Sequence, residues 1–174
     1  MRIHSRINLF VSFVLLACCS LHYSSSSQAQ ESQAEKTTTW LIVRHAEKDA
    51  NELLSEEGKQ RAKELGKLAG LFRIKAVYST DVPRTMNTAK PTADKLGVKI
   101  QTYKKTDQKW FDEMKKKHEG QVVLIVGHSN TIGQIAKGFG GVGDFSVIYE
   151  NYDNLFVVTN HSSGSRSLRL RFGD

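Results

Sequence analysis

Short apolar runs alternate with segments of helical periodicity from Thr38 onward, and this alternation constrains the fold more than any other feature of the sequence. Short β-branched runs are typical of strands, whereas apolar residues at helical spacing are typical of helices. The predicted strands are Thr39 to Val43, Ala76 to Ser79, Val98 to Gln101, Val122 to Val126, Asn154 to Thr159 and Ser167 to Phe172, and the predicted helices are Ser55 to Leu71, Pro83 to Leu96, Lys109 to His118 and Thr131 to Phe139. This order favours an α/β fold with a central, mostly parallel sheet.

Several residues mark where the predicted helices begin, end or break. Ser55 is a suitable N-cap, and Gly97 is a suitable helix stop. Pro91 lies inside a predicted helix and predicts a kink or a break there. The glycine-rich run Gly138 to Gly143 follows a helix and lacks the ending of a phosphate-binding loop, so we interpret it as a helix end and turn.

Residues 1–29 have the pattern of a signal peptide. Arg2 and Arg6 precede an apolar stretch of about 13 residues, too short to span a bilayer comfortably. Cleavage after Ala29 would leave a soluble exported protein, whereas the lipobox-like Leu15-Leu16-Ala17-Cys18 would leave lipidated Cys18 at the new terminus. Both alternatives place the protein in the periplasm or cell envelope, and membrane attachment is expected only through lipidated Cys18. Residues 30–37 are expected to form a flexible tether before a single domain at residues 38–174.

The net charge and the cysteine content limit which partners and which catalytic groups the mature domain can have. The net charge of +7 falls to +5 when Arg2 and Arg6 leave with the signal peptide, and this modest basicity does not call for a nucleic-acid partner. Cys18 and Cys19 both precede Ala29, so cleavage there leaves a domain without thiols. Disulfides, thiolate metal sites and a cysteine nucleophile are excluded for such a domain.

Basic side chains follow three of the predicted strands. Arg44 and His45 end the first strand, Arg84 lies in the first turn of the helix after the second, and His128 follows the buried strand Val122 to Val126. Because the ends of parallel strands meet at one edge of a sheet, we expect these four side chains to converge there. A helix N-terminus at the same edge offers backbone N–H groups to an anion.

The three motifs that contain these residues, "VRHAEK", "YSTDVPRTMNTA" and "VGHSNT", resemble in their order those of the histidine phosphatase superfamily, the phosphoglycerate-mutase-like proteins. The resemblance extends from Thr38 to the C-terminus, and Ala46 matches the smaller "RHAEK" members. It implies a three-layer α/β/α sandwich. It also implies a phosphatase that uses no cofactor and acts on a small phosphorylated substrate.

By this resemblance, His45 is the nucleophile that forms a phosphohistidine, which water then hydrolyses. Attack requires a neutral imidazole, so the other ring nitrogen should donate to an acceptor. Arg44 and Arg84 match the arginines that clamp the phosphoryl group. His128 matches the second histidine, which completes the pocket and holds the phosphoryl group in protonated form. Since the arginines would repel a cation, we predict no metal.

Two further residues are candidates for substrate binding. Ser129 follows the second histidine. Asn51 lies six residues after the nucleophile, where many mutase-like members carry a phosphate-contacting asparagine, although a simple loop asparagine is the favoured interpretation. We expect His118 and His161 to lie at the surface, and we interpret the Tyr152-Asp153-Asn154 segment as structural.

The general acid of the family has no counterpart in this sequence. The region Gln101 to Asp107 contains no glutamate, and the two candidate acids, Asp107 and Glu47, are expected to be solvated surface carboxylates. An alkoxide leaving group needs a proton, whereas a phosphoramidate or phosphoanhydride leaves more readily. The sequence therefore predicts a phosphatase for a phosphomonoester, phosphoramidate or phosphoanhydride, or alternatively a phosphate-binding protein of the same fold without turnover.

Overall fold

A computed structural model describes residues 36–173 of the chain. The predicted signal peptide, the lipobox-like segment and most of the tether lie outside the described residues. The elements in chain order are β1 (Thr38–Arg44), α1 (Glu56–Phe72), β2 (Ala76–Ser79), α2 (Pro83–Leu96), β3 (Ile100–Thr102), α3 (Gln108–Lys117), β4 (Val122–Gly127), α4 (Ile132–Gly138), β5 (Asn154–His161) and β6 (Gly164–Arg171). Within residues 36–173, no helix combines the length and the apolarity needed to span a bilayer.

The strands form one six-stranded sheet in the order β3-β2-β4-β1-β5-β6. β3, β2, β4 and β1 are parallel, and β5 and β6 are antiparallel additions beside β1. The prediction of a mostly parallel sheet with the Val122–Val126 strand at its centre is confirmed.

Alternate residues of β1 point into two separate apolar cores, because successive side chains of a strand face opposite sides of a sheet. Trp40 and Ile42 pack on one face, in the core that contains Phe111 of α3 and Ile135 of α4. Leu41 packs on the other face, with apolar residues of α1 and α2. The sheet therefore lies between two helical layers, and the expected three-layer α/β/α sandwich is confirmed.

The two helix ends predicted from residue type form as expected, whereas the helix interior at Pro91 differs from the prediction. The Ser55 side chain accepts a hydrogen bond from the Gly58 N–H, and Gly97 ends α2 in the left-handed conformation with φ +64°. Of the two outcomes predicted at Pro91, a kink or a break, the break is wrong, since α2 continues through this residue to Leu96. A Cβ on Gly66 would lie 3.2 Å from Pro91, so α1 packs closely against α2 at this point and supports the helix.

Two further predictions, the bounds of β3 and the exposure of His118, are also corrected. β3 covers Ile100–Thr102 rather than Val98 to Gln101, because it is an edge strand that pairs only with Val77 to Ser79 of β2. His118 is only 4% exposed, not a surface residue. Its ring makes an edge contact with Trp40, which lies far from it in the sequence.

Candidate active site

His45 directly follows β1, and its backbone and its side chain each form a hydrogen bond to a main-chain carbonyl. Its N–H donates to the Gly127 carbonyl of β4 at 2.9 Å, which continues the strand pairing by one residue. Its side-chain Nδ1 lies 2.8 Å from the Ala46 carbonyl. A carbonyl can only accept, so Nδ1 carries the proton and Nε2 keeps its lone pair. This is the tautomer that a nucleophilic histidine requires.

The surroundings keep the His45 imidazole uncharged. The residue is 3% exposed, and burial lowers its pKa from 6.5 to about 4. The bond to Ala46 acts in the opposite direction, whereas the positive charges of Arg44 and Arg84 lower the pKa further. Nε2 has no hydrogen-bond partner among residues 36–173. At neutral pH the ring is therefore a neutral base with one unoccupied nitrogen.

Arg44, the last residue of β1, is a buried cation without a carboxylate partner. It is 2% exposed, and no carboxylate of the described residues lies within ion-pair distance of it. One terminal nitrogen donates to the Tyr149 carbonyl, and Nε is buried without a partner. The guanidinium carbon lies 3.9 Å from the centre of the Tyr152 ring. An isolated buried charge is costly, so this position favours an anionic ligand.

Arg84 enters the site from the first turn of α2, where Pro83 fixes the start of the helix. Its Nη2 lies 3.4 Å from Nδ1 of His128, and its Nε is buried without a partner. Its Nη1 donates to the Glu52 carboxylate at 2.7 Å. Arg84 is thus paired with a carboxylate, whereas Arg44 is not.

Glu52 and Lys48 are site residues that sequence reasoning missed. The Lys48 ammonium lines the pocket and forms an ion pair with Glu52. Glu52 adopts a left-handed backbone with φ +65°, and this conformation turns the loop after β1 so that its exposed side chain reaches Arg84. The hydrogen bond from Lys48 and the charge of Arg84 hold the pKa of the Glu52 carboxyl below its usual range. No local sequence pattern indicates this pairing.

His128 follows β4 and faces His45, with the ring centres 5.6 Å apart. Its Nε2 lies 3.0 Å from the Thr80 hydroxyl, which in turn contacts the Thr85 hydroxyl at 2.8 Å. Burial, and then the charges of Arg84 and Arg44, lower the pKa of His128. These surroundings therefore favour the neutral ring, not the protonated form that the resemblance implies.

These side chains line one pocket of about 460 Å³. Its walls are made of Arg44, His45, Lys48, Val82, Arg84, His128, Ser129, Asn130, Thr131 and Tyr149. The four residues predicted as catalytic are brought together, and Ser129 lies with them. Asn51 does not line this pocket, and its exposed backbone N–H donates to the Asp49 carboxylate in a loop turn.

Neither of the two candidate acids from the sequence lines the pocket. Asp107 is the N-cap of α3, where its carboxylate accepts from the Trp110 N–H at 3.0 Å. Glu47 pairs with Arg61 at 2.7 Å, and the two side chains are only 13% and 12% exposed. The expectation that Glu47 is a solvated surface carboxylate is wrong, because this long-range ion pair buries it.

Within the described part of the chain, no three His, Cys, Asp or Glu side chains are grouped so that they could hold a metal ion.

Comparisons with known proteins give one family-model match and a set of solved structures with the same fold. Residues 40–107 match the family model of the histidine phosphatase superfamily (branch 1), a segment that contains His45 and Arg84. No curated protein sequence matches the chain.

Solved structures of the same fold cover most of the described residues. A mycobacterial glucosyl-3-phosphoglycerate phosphatase superposes with a TM-score of 0.60 at 12% identity, over 79% of this chain and 99% of its own. A Bacillus stearothermophilus protein, YhfR, gives 0.56 at 18% identity, over 70% and 90% of the two chains. Phosphoglycerate mutase from Plasmodium falciparum gives 0.53 at 16% identity, over 79% and 91%. At these identities the likeness establishes the fold alone.

Proposed function

We propose that this chain, of which residues 40–107 match the model of the histidine phosphatase superfamily, is a phosphatase that transfers a phosphoryl group to His45 and then to water. The observation that carries the proposal is the juxtaposition of a buried, carboxylate-free Arg44 with a neutral His45 whose Nε2 is unoccupied. The Arg44 guanidinium favours binding of an anionic group, and the Nε2 lone pair of His45 can attack an electrophilic atom of that group. A phosphoryl group is both.

In the first step, the Nε2 lone pair of His45 forms a bond to phosphorus while the bond to the leaving-group oxygen breaks. The leaving group departs with that electron pair. The ring then carries a positive charge with Nδ1 still protonated, and the Ala46 carbonyl at 2.8 Å stabilises this charge by accepting its hydrogen bond.

In the second step, a water oxygen bonds to phosphorus, the P–N bond breaks, and the electron pair returns to Nε2. The proton of the attacking water is released to solvent. Arg44, Arg84 and Lys48 oppose the charge on the phosphoryl oxygens in both steps, and His128 lines the same pocket.

The leaving group receives no proton from a free carboxylic acid of the described residues. Asp107 and Glu47 lie outside the pocket, and Glu52 is held in its charged form by Lys48 and Arg84. This arrangement favours substrates whose leaving group departs without protonation.

Hydrolysis of p-nitrophenyl phosphate by the wild type and by His45→Ala tests the proposal, since p-nitrophenolate leaves without protonation. We expect turnover by the wild type and none by the variant. Phosphate binding without turnover in both proteins would contradict the proposal and support the phosphate-binding alternative.

Export is part of the same proposal and rests on the signal-peptide pattern of residues 1–29. Cell fractionation with mass spectrometry of the mature N-terminus tests it. A chain that begins at Gln30 indicates a soluble exported protein, and a lipidated Cys18 indicates a lipoprotein. A cytoplasmic chain that retains Met1 would contradict export.

A further inference from the structure

Large apolar side chains are exposed beside the phosphate pocket. Tyr149 lines the pocket, yet it is 62% exposed, and the neighbouring Ile148 is exposed to the same extent. Val82 adds a half-buried apolar wall. A binding site for phosphate alone needs no such surface, so Tyr149 and Val82 are available to contact the rest of a ligand.

The position of Tyr149 is tied to the phosphate-binding arginine. Its carbonyl accepts a hydrogen bond from Arg44, and the Arg44 guanidinium carbon lies 4.9 Å from the centre of its ring. The loop that carries Tyr149 is held at one end by Phe145, which is 6% exposed and packs edge-on against Phe156. A turn bond from the Asn151 N–H to the Ile148 carbonyl at 3.0 Å shapes the loop around Tyr149. The ring therefore lies beside the guanidinium to which the phosphoryl group is proposed to bind.

The lack of a free carboxylic acid among the described pocket residues also favours an aromatic leaving group. An alkoxide departs poorly without a proton, whereas an aryl oxide delocalises its charge into the ring. Because no free carboxylic acid lies in the described pocket, aromatic leaving groups are favoured on chemical grounds. An exposed aromatic ring at the pocket mouth favours the same groups on geometric grounds, since aromatic rings stack on one another.

We propose that Tyr149 is a specificity residue that stacks on the planar aromatic leaving group of an aryl phosphate bound at Arg44. The preferred substrates are then phosphorylated aromatic groups, of which a phosphotyrosine side chain is one chemical example, rather than alkyl phosphates. This inference rests on the proposed function, because it assigns the substrate class of the same pocket.

Binding of phosphonates, which cannot be hydrolysed at the P–C bond, tests the inference without requiring turnover. The probes are methylphosphonate, cyclohexylphosphonate and phenylphosphonate, measured by calorimetry with the wild type, Tyr149→Ala, Tyr149→Leu and Tyr149→Phe. Val142→Ala is the control, because Val142 is a 74% exposed apolar residue of the same loop outside the pocket walls.

We expect the wild type to bind phenylphosphonate about fivefold more tightly than cyclohexylphosphonate, because only the phenyl ring can stack on Tyr149. Tyr149→Ala and Tyr149→Leu should lose this preference, while Tyr149→Phe and Val142→Ala should retain it. Equal affinity of the wild type for the two ring compounds would overturn the inference. So would an equal loss of all three phosphonates in Tyr149→Ala, which would indicate that Tyr149 only supports Arg44.

Kinetics with phenyl phosphate then separates this inference from the proposed function. We expect Tyr149→Ala to raise KM about fivefold with little change in kcat, because stacking acts on binding. A wild type that discriminates between phosphonates but hydrolyses no phosphate ester would contradict the proposed function and leave the aromatic specificity intact.

Discussion

His45 and His118 are two histidines that the fold buries to the same extent, at 3% and 4% exposure. Burial lowers the pKa of both. They differ in what their ring nitrogens contact. His118 has the Tyr78 hydroxyl at 2.9 Å from Nε2 and the Gln121 side-chain oxygen at 2.9 Å from Nδ1, whereas His45 uses only Nδ1.

This difference separates a structural histidine from a reactive one. A lowered pKa makes both rings neutral, but each ring nitrogen of His118 already lies within hydrogen-bonding distance of a side-chain partner. His45 keeps a nitrogen unoccupied in a pocket lined by Arg44, Arg84 and Lys48. Burial alone therefore does not indicate a nucleophile, whereas an unoccupied nitrogen beside Arg44, a buried cation without a carboxylate partner, does.

The largest expected effect contrasts the two histidines directly. His45→Asn should lower kcat for p-nitrophenyl phosphate by on the order of 10⁴-fold or more, because it removes the nucleophile. His118→Asn should leave kcat within about twofold but lower the free energy of unfolding by about 1–3 kcal/mol, since Tyr78 and Gln121 lose their partner. Steady-state kinetics and urea unfolding measure the two effects. A folded His118→Asn protein with the same kinetic defect would contradict the assignment of His118 as a structural histidine.

The next effect tests the role of the unneutralised cation. Arg44→Ala should lower kcat/KM by about 10²- to 10³-fold, the usual effect of removing one group that stabilises transition-state charge. It should also raise the pKa of His45 above about 4, because the charge of Arg44 lowers that pKa, and it should leave His118 unchanged. Histidine NMR titration checks the pKa values, and the thermal midpoint checks that the variant is folded. An unshifted His45 would contradict the electrostatic argument.

A smaller effect concerns stability against pH. The pKa of His45 is about 4 in the folded protein and 6.5 in the unfolded chain, so between these values the unfolded chain binds more protons. The free energy of unfolding should therefore fall as the pH is lowered from about 6.5 to 4, by at most about 1.4 kcal/mol per pH unit for each such histidine. His118 shifts in the same direction, so His118→Asn should show a shallower decrease than the wild type in urea titrations. An equal slope would show that His118 is not kept neutral by the fold.

The smallest effect concerns the carboxylate that pairs with Arg84. Glu52→Gln removes the charge that competes with a bound phosphate, so inorganic phosphate should bind roughly two- to fivefold more tightly, as expected for an exposed ion pair. Calorimetry measures the change, and Glu56→Gln is a matched control because Glu56 forms its exposed ion pair with Lys59 instead. Weaker phosphate binding in Glu52→Gln would show that Glu52 supports the site.

The sequence was sufficient to predict those parts that depend on local patterns. Apolar runs located the strands, and their ends brought Arg44, His45, Arg84 and His128 to one edge, because parallel strands end at the same side of a sheet. Helix caps such as Ser55 were also predictable from residue type.

The remaining features depend on contacts between distant segments. His118 follows a lysine run, and only packing against Trp40 and Tyr78 from other strands buries it. Glu47 pairs with Arg61 from a helix, and Tyr149 reaches Arg44 from a loop more than 100 residues away. No periodicity or spacing in the sequence encodes such pairs.

Identification of the phosphorylated residue during turnover tests the central claim most directly. The wild type is mixed with a ³²P-labelled aryl phosphate, quenched in alkaline detergent and digested, and the labelled peptide is located by mass spectrometry. We expect one label on His45, stable in alkali, lost in acid and absent from His45→Asn. A label on His128 instead, or wild-type turnover by His45→Asn, would contradict it.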